Sequence, residues 1–563
     1  MPPGADHETP EETPAAEERP RRAHVADRRA RRRARLAARS KLRRRLTRAG
    51  IALGVVILLI IGGGVGLYYY RSGQITHENA PHIVAATGPS ENILLIGSTS
   101  RCAASSIALY RSECAAGVNG VNSDVVLVAH LDGTTHTISL LSIPRDTFVP
   151  GARSGSALCG TTSPLTPGTC ANKIDAALVE GPDQLIAAIE QDFGIPINHF
   201  VDLNFATFTN VVNALGGIKM DFPDRLFDAS SFLKITKTGC QLLNGTQALA
   251  LVRSRHLYYF TKGQTPNYAA IQAATTPTGP WYTPNSGGTY DGTGDLGRII
   301  RVHLFLKALA QQVAARGLSN PVTDYKLVGA IAPNLTVDSG LSTLDMVHLA
   351  LDYHHANFAS APELTIPTVT DAQSYIYDGG DYGDVIFPTQ PQDQQVIDQF
   401  LGTTPTNVAP GSISVSVVDG TQSPSQTASV AASLGRLGYR IVPTTATNYV
   451  GPVAETTVVY RPGHLAEAQQ VLRSLSGTVV LAQGAPASGA DVSVVTGSDF
   501  TVASPAPHAS TPSATVAGSS AAGGPTTTTA APAVTTTTNP NLGAPSSATP
   551  AIPPWDPRSC PGS

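Results

Sequence analysis

The chain has 563 residues, of which 42% are hydrophobic, a proportion ordinary for a globular protein and long enough for about two to four domains. Its net charge of −3 is an average over very unequal parts. Fifteen of its 38 Lys and Arg fall in residues 19–48, six acids precede them, and residues 49–563 carry an acidic excess, which argues against nucleic acid as a partner of the bulk of the chain.

Residues 1–50 read as a disordered basic tail. Ile51 to Tyr70 contains no charged residue, and twenty helical residues rise about 30 Å, the hydrocarbon thickness of a bilayer. Tyr68, Tyr69 and Tyr70 suit the interfacial belt and Arg71 a snorkelling anchor. A cleaved signal peptide would need a charged region of unusual length, so the segment is expected to be a retained transmembrane helix. The arginine block then keeps the tail cytoplasmic and places everything after residue 71 outside. All six cysteines lie beyond this helix, where disulfides persist, and none has zinc-ligand spacing. Cys102 with Cys114 and Cys159 with Cys170 would close short loops; Cys240 and Cys560 are left over.

Residues 71–90 read as a linker. Residues 91–401 form a large unit opening with strand-like runs at Asn92–Gly97, Asp124–Leu131 and Thr137–Ile143. Helical periodicity follows at Pro182–Phe193, with Pro in the first turn, and at Phe205–Leu215, ended by Gly216. The long pattern Leu296–Arg316 has Asp295 as its expected N-cap and Gly317 as its stop. Ser342 and Asp345 resemble a capping box. The mixture predicts an α/β fold with helices packed on a central mixed sheet. Residues 412–500 read strand, helix, two strands, helix, strand, with an extra strand at Thr478–Ala482. This predicts a small α/β domain of ferredoxin-like βαββαβ form. Residues 501–563, rich in Ser, Thr, Pro and Ala, read as a disordered tail.

The chemistry-bearing feature is a set of arginines beside strand ends and turns: Arg145 with Asp146, Arg253 with Arg255, and Arg298 with Arg301. Guanidinium groups grip phosphate oxygens bidentately and keep their charge, so several converging arginines would suit a diphosphate. Taken singly, each such arginine is more often a surface ion pair. The long helix is apolar around most of its circumference, which fits either ordinary burial or one wall of a lipid site.

The segments NILLIGSTSR, SDVVLVAHLD, SIPRDT, KIDAAL, VDLNFATFTNVVNALGGI, LNGTQALALVRSRH and GDLGRIIR resemble, in order, the motifs of the LytR-CpsA-Psr family. VSVVDGT, LGYRIV, TTVVYRP and GADVSVVTGSDF are similar to the C-terminal domain often attached to it. The resemblance implies a single-pass envelope phosphotransferase with an α/β/α sandwich and a deep apolar groove. Such an enzyme moves a glycopolymer from a polyprenyl pyrophosphate carrier to peptidoglycan through a phosphodiester, with pyrophosphatase as a side activity. It implies pyrophosphate contacts from Arg145, Arg253, Arg255 and Arg298, joined by Lys173, with Arg145 and Asp146 as catalytic residues. It also implies a divalent cation, Mg2+ or Mn2+, on Asp124 and a second aspartate, whose place Thr99 takes here. A hydroxyl is a weaker ligand for a hard cation than a carboxylate. The competing reading is a non-catalytic envelope protein that holds polyprenyl lipid or wall glycan. A signalling role lacks a cytoplasmic domain to carry it.

Overall fold

The computed structural model describes residues 73–99, 121–154, 169–275, 281–316, 332, 335–353, 356, 361–370, 374–377, 380–448, 455–503 and 546–561. The expected membrane segment Ile51–Tyr70 lies outside them, as do Cys102, Cys114 and Cys159. Among the described residues no helix is long and apolar enough to cross a membrane.

Seven strands build the central sheet: β1 (Thr76–Glu78), β2 (Glu91–Ser98), β3 (Ser123–Asp132), β4 (Thr137–Ile143), β5 (His199–Asn204), β6 (Leu335–Asp338) and β7 (Glu363–Thr365). Their order is β1-β6-β5-β2-β3-β4-β7. Pairings are parallel for β1–β6, β5–β2 and β4–β7 and antiparallel elsewhere, so the sheet is mixed as expected. Along β2 burial alternates, with Leu94 and Ile96 facing a core that also takes Val126, Val128, Leu141 and Ile143. Helix α1 (Pro182–Phe193) closes that core with Leu185, Ile186, Ile189 and Phe193. Fully burying each such side chain contributes about 1.5–3 kcal/mol. The bounds of α1 follow from its ends. Pro182 sits where a helix needs no N–H, and Gly194, at φ 68°, takes the left-handed turn that ends it.

A second core joins helices α2 (Phe205–Ala214), α3 (Gly245–Arg253) and α4 (Gly294–Arg316). Asn204 caps α2 by accepting from the Thr207 amide, and Asn244 with Gln247 forms a capping box at α3. Helix α4 supplies Ile300, Val302, Leu304, Phe305 and Ala308 to this core. It begins at Gly294, so Asp295 lies inside its first turn rather than at the N-cap, and its carboxylate is turned to arginines instead. The expected Ser342–Asp345 capping box is present ahead of Thr343–Asp352.

Three expectations are corrected. Residues 71–90 are not merely a linker. Thr76–Glu78 add the edge strand β1, Ala80 enters the core, and the Val84 amide donates to Ile197 O at 3.0 Å. Edge pairing needs little hydrophobic patterning, so composition alone does not reveal it.

The small domain is not ferredoxin-like. Its strands β8 (Ser414–Val418), β9 (Arg440–Ile441), β10 (Thr456–Tyr460), β11 (Val479–Gln483) and β12 (Val492–Val495) run in the order β9-β8-β12-β10-β11. Helix α5 (Pro424–Arg436) joins neighbours β8 and β9, and helix α6 (Leu465–Leu472) lies between neighbours β10 and β11; both pairs are parallel. These are unsplit βαβ units, whereas a ferredoxin-like fold inserts a strand between the pair. Strand β12 joins them, parallel to β8 and antiparallel to β10.

Finally, the last part of the Ser/Thr/Pro-rich segment is folded. Arg558–Ser559 pairs antiparallel with Met220 and Asp221 in strand Ile218–Phe222, and Trp555 stacks on Tyr259 with ring centroids 4.1 Å apart. Cys560, one of the two cysteines left over in the sequence, is bonded to the other, Cys240.

Candidate active site

The sheet places Asp124 at the start of β3 and Arg145 just beyond the end of the antiparallel neighbour β4, so both stand at the same end of these two strands. Arg145 Nη1 donates to Asp124 Oδ1 at 2.5 Å. The first turn of α4 enters from the second core. Arg298, with a side chain only 3% exposed, donates to the Asp124 carbonyl and grips Asp295 through Nε at 2.8 Å and Nη2 at 3.0 Å. Arg255, just after α3, reaches the same Asp295 at 3.3 Å and Asp146 at 3.4 Å. Lys173 Nζ lies 3.5 Å from the other Asp146 oxygen. Arg145 also lies within 3.5–4.0 Å of Asp146, Asp175 and Asp295.

Arg145, Asp146, Lys173, Arg255, Arg298 and Asp124 are thus brought together. Arg253 stands slightly apart: its guanidinium lies over the Phe205 ring at 4.6 Å, although its charge acts on Asp124. Arg301, one helical turn beyond Arg298, points elsewhere. It is fully buried and pairs with Asp291 and Asp556, each at 3.0 Å.

Two participants escaped the sequence reading. Asp295 bridges three arginines, but in GDLGRIIR it was read only as a cap. Asp175 lies in the quoted KIDAAL segment, yet nothing local says that its carboxylate faces Arg145. Gly297 in the same GDLGR stretch has a plain reason: a Cβ there would run into Thr293 Oγ1 and lie 3.0 Å from Arg301 Nη2.

The electrostatics separate the acids. Burial pushes the Asp124 carboxyl up, but Arg298, Arg145 and Arg253 outweigh it and hold the group below the usual carboxylate range. At Asp146, burial is likewise outweighed by Arg145, Arg255 and Lys173. Asp175 is 8% exposed in its side chain, lies 4.0 Å from Arg145 and accepts from the Asn122 side-chain amide at 3.2 Å; burial outweighs both and carries it to about 6. Burial and the nearby Arg145 pull Arg255 below its ordinary range, whereas at Arg145 the surrounding Asp124, Asp146, Asp295 and Asp175 outweigh burial and raise it. Such a cluster favours an added anion with several oxygens.

The residues expected to hold a cation fit it poorly. The Thr99 hydroxyl accepts the Asn122 amide at 3.0 Å, and an Asp124 oxygen is taken by Arg145. Among the described residues no group of three or more His, Cys, Asp or Glu is placed to hold a metal ion. Behind Arg298, between β3, β4 and α4, the space lined by Val125, Ile143, Ile299 and Val302 measures only about 10 Å³, roughly one water.

Residues 71–263 match the model of the LytR_cpsA_psr family, and residues 412–500 match that described as LytR cell envelope-related transcriptional attenuator. The chain is 26% identical over 309 residues to a probable cell wall biosynthesis protein, LcpB, of Corynebacterium glutamicum, covering 54% of this chain and 61% of that one. It is 37% identical over 138 residues to the polyisoprenyl-teichoic acid–peptidoglycan teichoic acid transferase TagV of Bacillus subtilis, covering 24% and 32%. The chain thus spans less than two thirds of these relatives' lengths. A LytR-Csp2A-Psr enzyme structure from Actinomyces oris aligns over 58% of this chain and 95% of that one, at 21% identity and TM-score 0.40, too remote to bear on the site.

Proposed function

Since the chain belongs to the LytR-CpsA-Psr family and carries the C-terminal domain recognised with it, we propose that it is a glycopolymer–peptidoglycan phosphotransferase. It is held at the cell membrane by Ile51–Tyr70, with the described domains on the outer side. The observation that carries the reading is the convergence of Arg145, Arg255 and Arg298 with Lys173 on two shared carboxylates, Asp146 and Asp295.

The donor is a glycopolymer linked through pyrophosphate to a polyprenyl lipid. Its phosphate oxygens replace the Asp146 and Asp295 oxygens as partners of the guanidinium groups. An acceptor hydroxyl of peptidoglycan attacks the polymer-bearing phosphorus. A new P–O bond forms, the bridging P–O bond breaks, and polyprenyl phosphate leaves with the bridging oxygen. Arg145, Arg255 and Arg298 stabilise the charge that builds on the non-bridging and leaving oxygens. Arg253 adds positive potential from the Phe205 side. The hydroxyl proton passes to a carboxylate. Asp124 and Asp146, held acidic by their arginines, are poor acceptors, whereas Asp175 at about 6 is matched to neutral pH. Asp146 instead orients Arg145, Arg255 and Lys173. No step is routed through a metal, because the donor set of Asp124 and Thr99 does not suit one.

The test is incubation of the purified protein with a polyprenyl-pyrophosphate-linked sugar and a muropeptide. A phosphodiester-linked product and free polyprenyl phosphate are expected. Lipid binding without turnover would overturn the enzyme reading in favour of a non-catalytic envelope protein.

A further inference from the structure

We propose that the C-terminal segment 546–561 completes the active site, with Asp556 acting as a positioning residue that sets Arg255 and Arg298 through Arg301. This rests on the phosphotransferase reading and adds a residue from the far end of the chain to it.

The segment crosses the large domain as an ordered strap. The amide of Thr365, the last residue of β7, donates to Ala548 O at 2.9 Å, and the Thr368 amide donates to Ser546 Oγ at 2.9 Å. Farther on, Trp555 stacks on Tyr259, Arg558–Ser559 extends a sheet, and Cys560 closes the strap covalently onto Cys240. Such fastening could serve stability alone. The placement of Asp556 argues for more. Its side chain is fully buried, and Oδ1 accepts from Arg301 Nη1 at 3.0 Å. Arg301, also fully buried, uses the same nitrogen for Asp291 and donates through Nη2 to Ser254 O at 2.9 Å.

Ser254 O belongs to the peptide that leads into Arg255. Asp228 holds the other side of that turn, accepting the Arg255 and His256 amides, each at 2.9 Å. The backbone of Arg255 is therefore clamped between Asp228 and Arg301. Arg298 lies one turn before Arg301 on α4, so the same guanidinium ties the rotation of the helix to the position of Arg255. Two buried carboxylates serve Arg301, and the one from the strap comes from a residue 255 positions away. Without it, the guanidinium can turn toward Asp291 and release Ser254 O. Small displacements of groups that must grip one diphosphate cost binding and rate disproportionately.

The experiment uses the full chain in detergent and measures two quantities: the Kd for inorganic pyrophosphate by calorimetry, and kcat/KM for transfer to a muropeptide. Asp556→Ala is expected to weaken pyrophosphate binding and kcat/KM by about tenfold each, whereas Asp556→Asn, which keeps an oxygen toward Arg301, stays within about threefold. Should Asp556→Ala fail to fold, Trp555→Ala loosens the strap without touching the ion pair and is expected to cost about threefold in both. Folded variants with lowered melting temperature but wild-type Kd and kcat/KM would overturn the proposal and leave the strap a fastener. If the wild type transfers nothing but its pyrophosphate Kd responds to Asp556→Ala, the positioning role stands while the transferase reading falls. If the wild type binds no pyrophosphate, both fall.

Discussion

Replacing Asp175 by Asn should make the protein more stable and less active at once. The Asp175 carboxyl is raised from 3.8 to about 6, chiefly by burial, with the opposing Arg145 4.0 Å away. Below pH 3.8 the group is protonated in both folded and unfolded chains and contributes no pH-dependent penalty. Between pH 3.8 and 6 the unfolded chain releases the proton while the folded one keeps it, so stability falls as pH rises. Above pH 6 the full penalty applies, ~3 kcal/mol. Asn removes that penalty and can still accept from Asn122. The melting temperature at pH 7.5 should therefore rise by roughly 3–6 °C, and the gain should shrink toward zero near pH 4. Losing a proton acceptor should lower kcat by about 10²–10⁴-fold. The assays are calorimetric melting at pH 4, 5, 6 and 7.5, and single-turnover transfer at pH 7.5. A stability difference independent of pH, or unaltered transfer, would refute the assignment of Asp175 as a strained base.

Arg255→Lys and Arg298→Lys keep the charge but lose the planar fork. Each should reduce transfer by roughly tenfold to more than a hundredfold, and full activity in both would sink the shared-diphosphate site. Gly297→Ala places a methyl against Thr293 and Arg301; a loss of about 1–3 kcal/mol is expected in urea titration, and a neutral result would mean the first turn of α4 yields easily. Non-reducing digestion should release a linked peptide containing Cys240 and Cys560; free thiols at both positions would contradict the strap. A reporter that works only in the cytoplasm, fused after residue 410, should be silent if Ile51–Tyr70 anchors the chain as proposed.

Local patterns were legible where a local rule decides them. Pro182 and Gly194 bound their helix because one lacks an N–H and the other adopts a left-handed φ, whatever the rest of the chain does. Runs such as Thr137–Ile143 were strands because buried sheet residues need continuous apolar character. The ordered motifs marked Arg145, Arg255 and Arg298 as residues of interest. They could not say that Asp295 would bind all three arginines rather than cap a helix, since that depends on where α4 meets β3. Likewise the strand order of the small domain, with its unsplit parallel pairs, follows from packing choices that the same strand–helix pattern leaves open. The clearest case is the C-terminal segment. Its composition pointed to disorder because it has too few apolar residues to build a core of its own. It is ordered by someone else's core: a disulfide, one stacked ring and a buried ion pair offset its entropy only once Cys240, Tyr259 and Arg301 have been assembled by the fold.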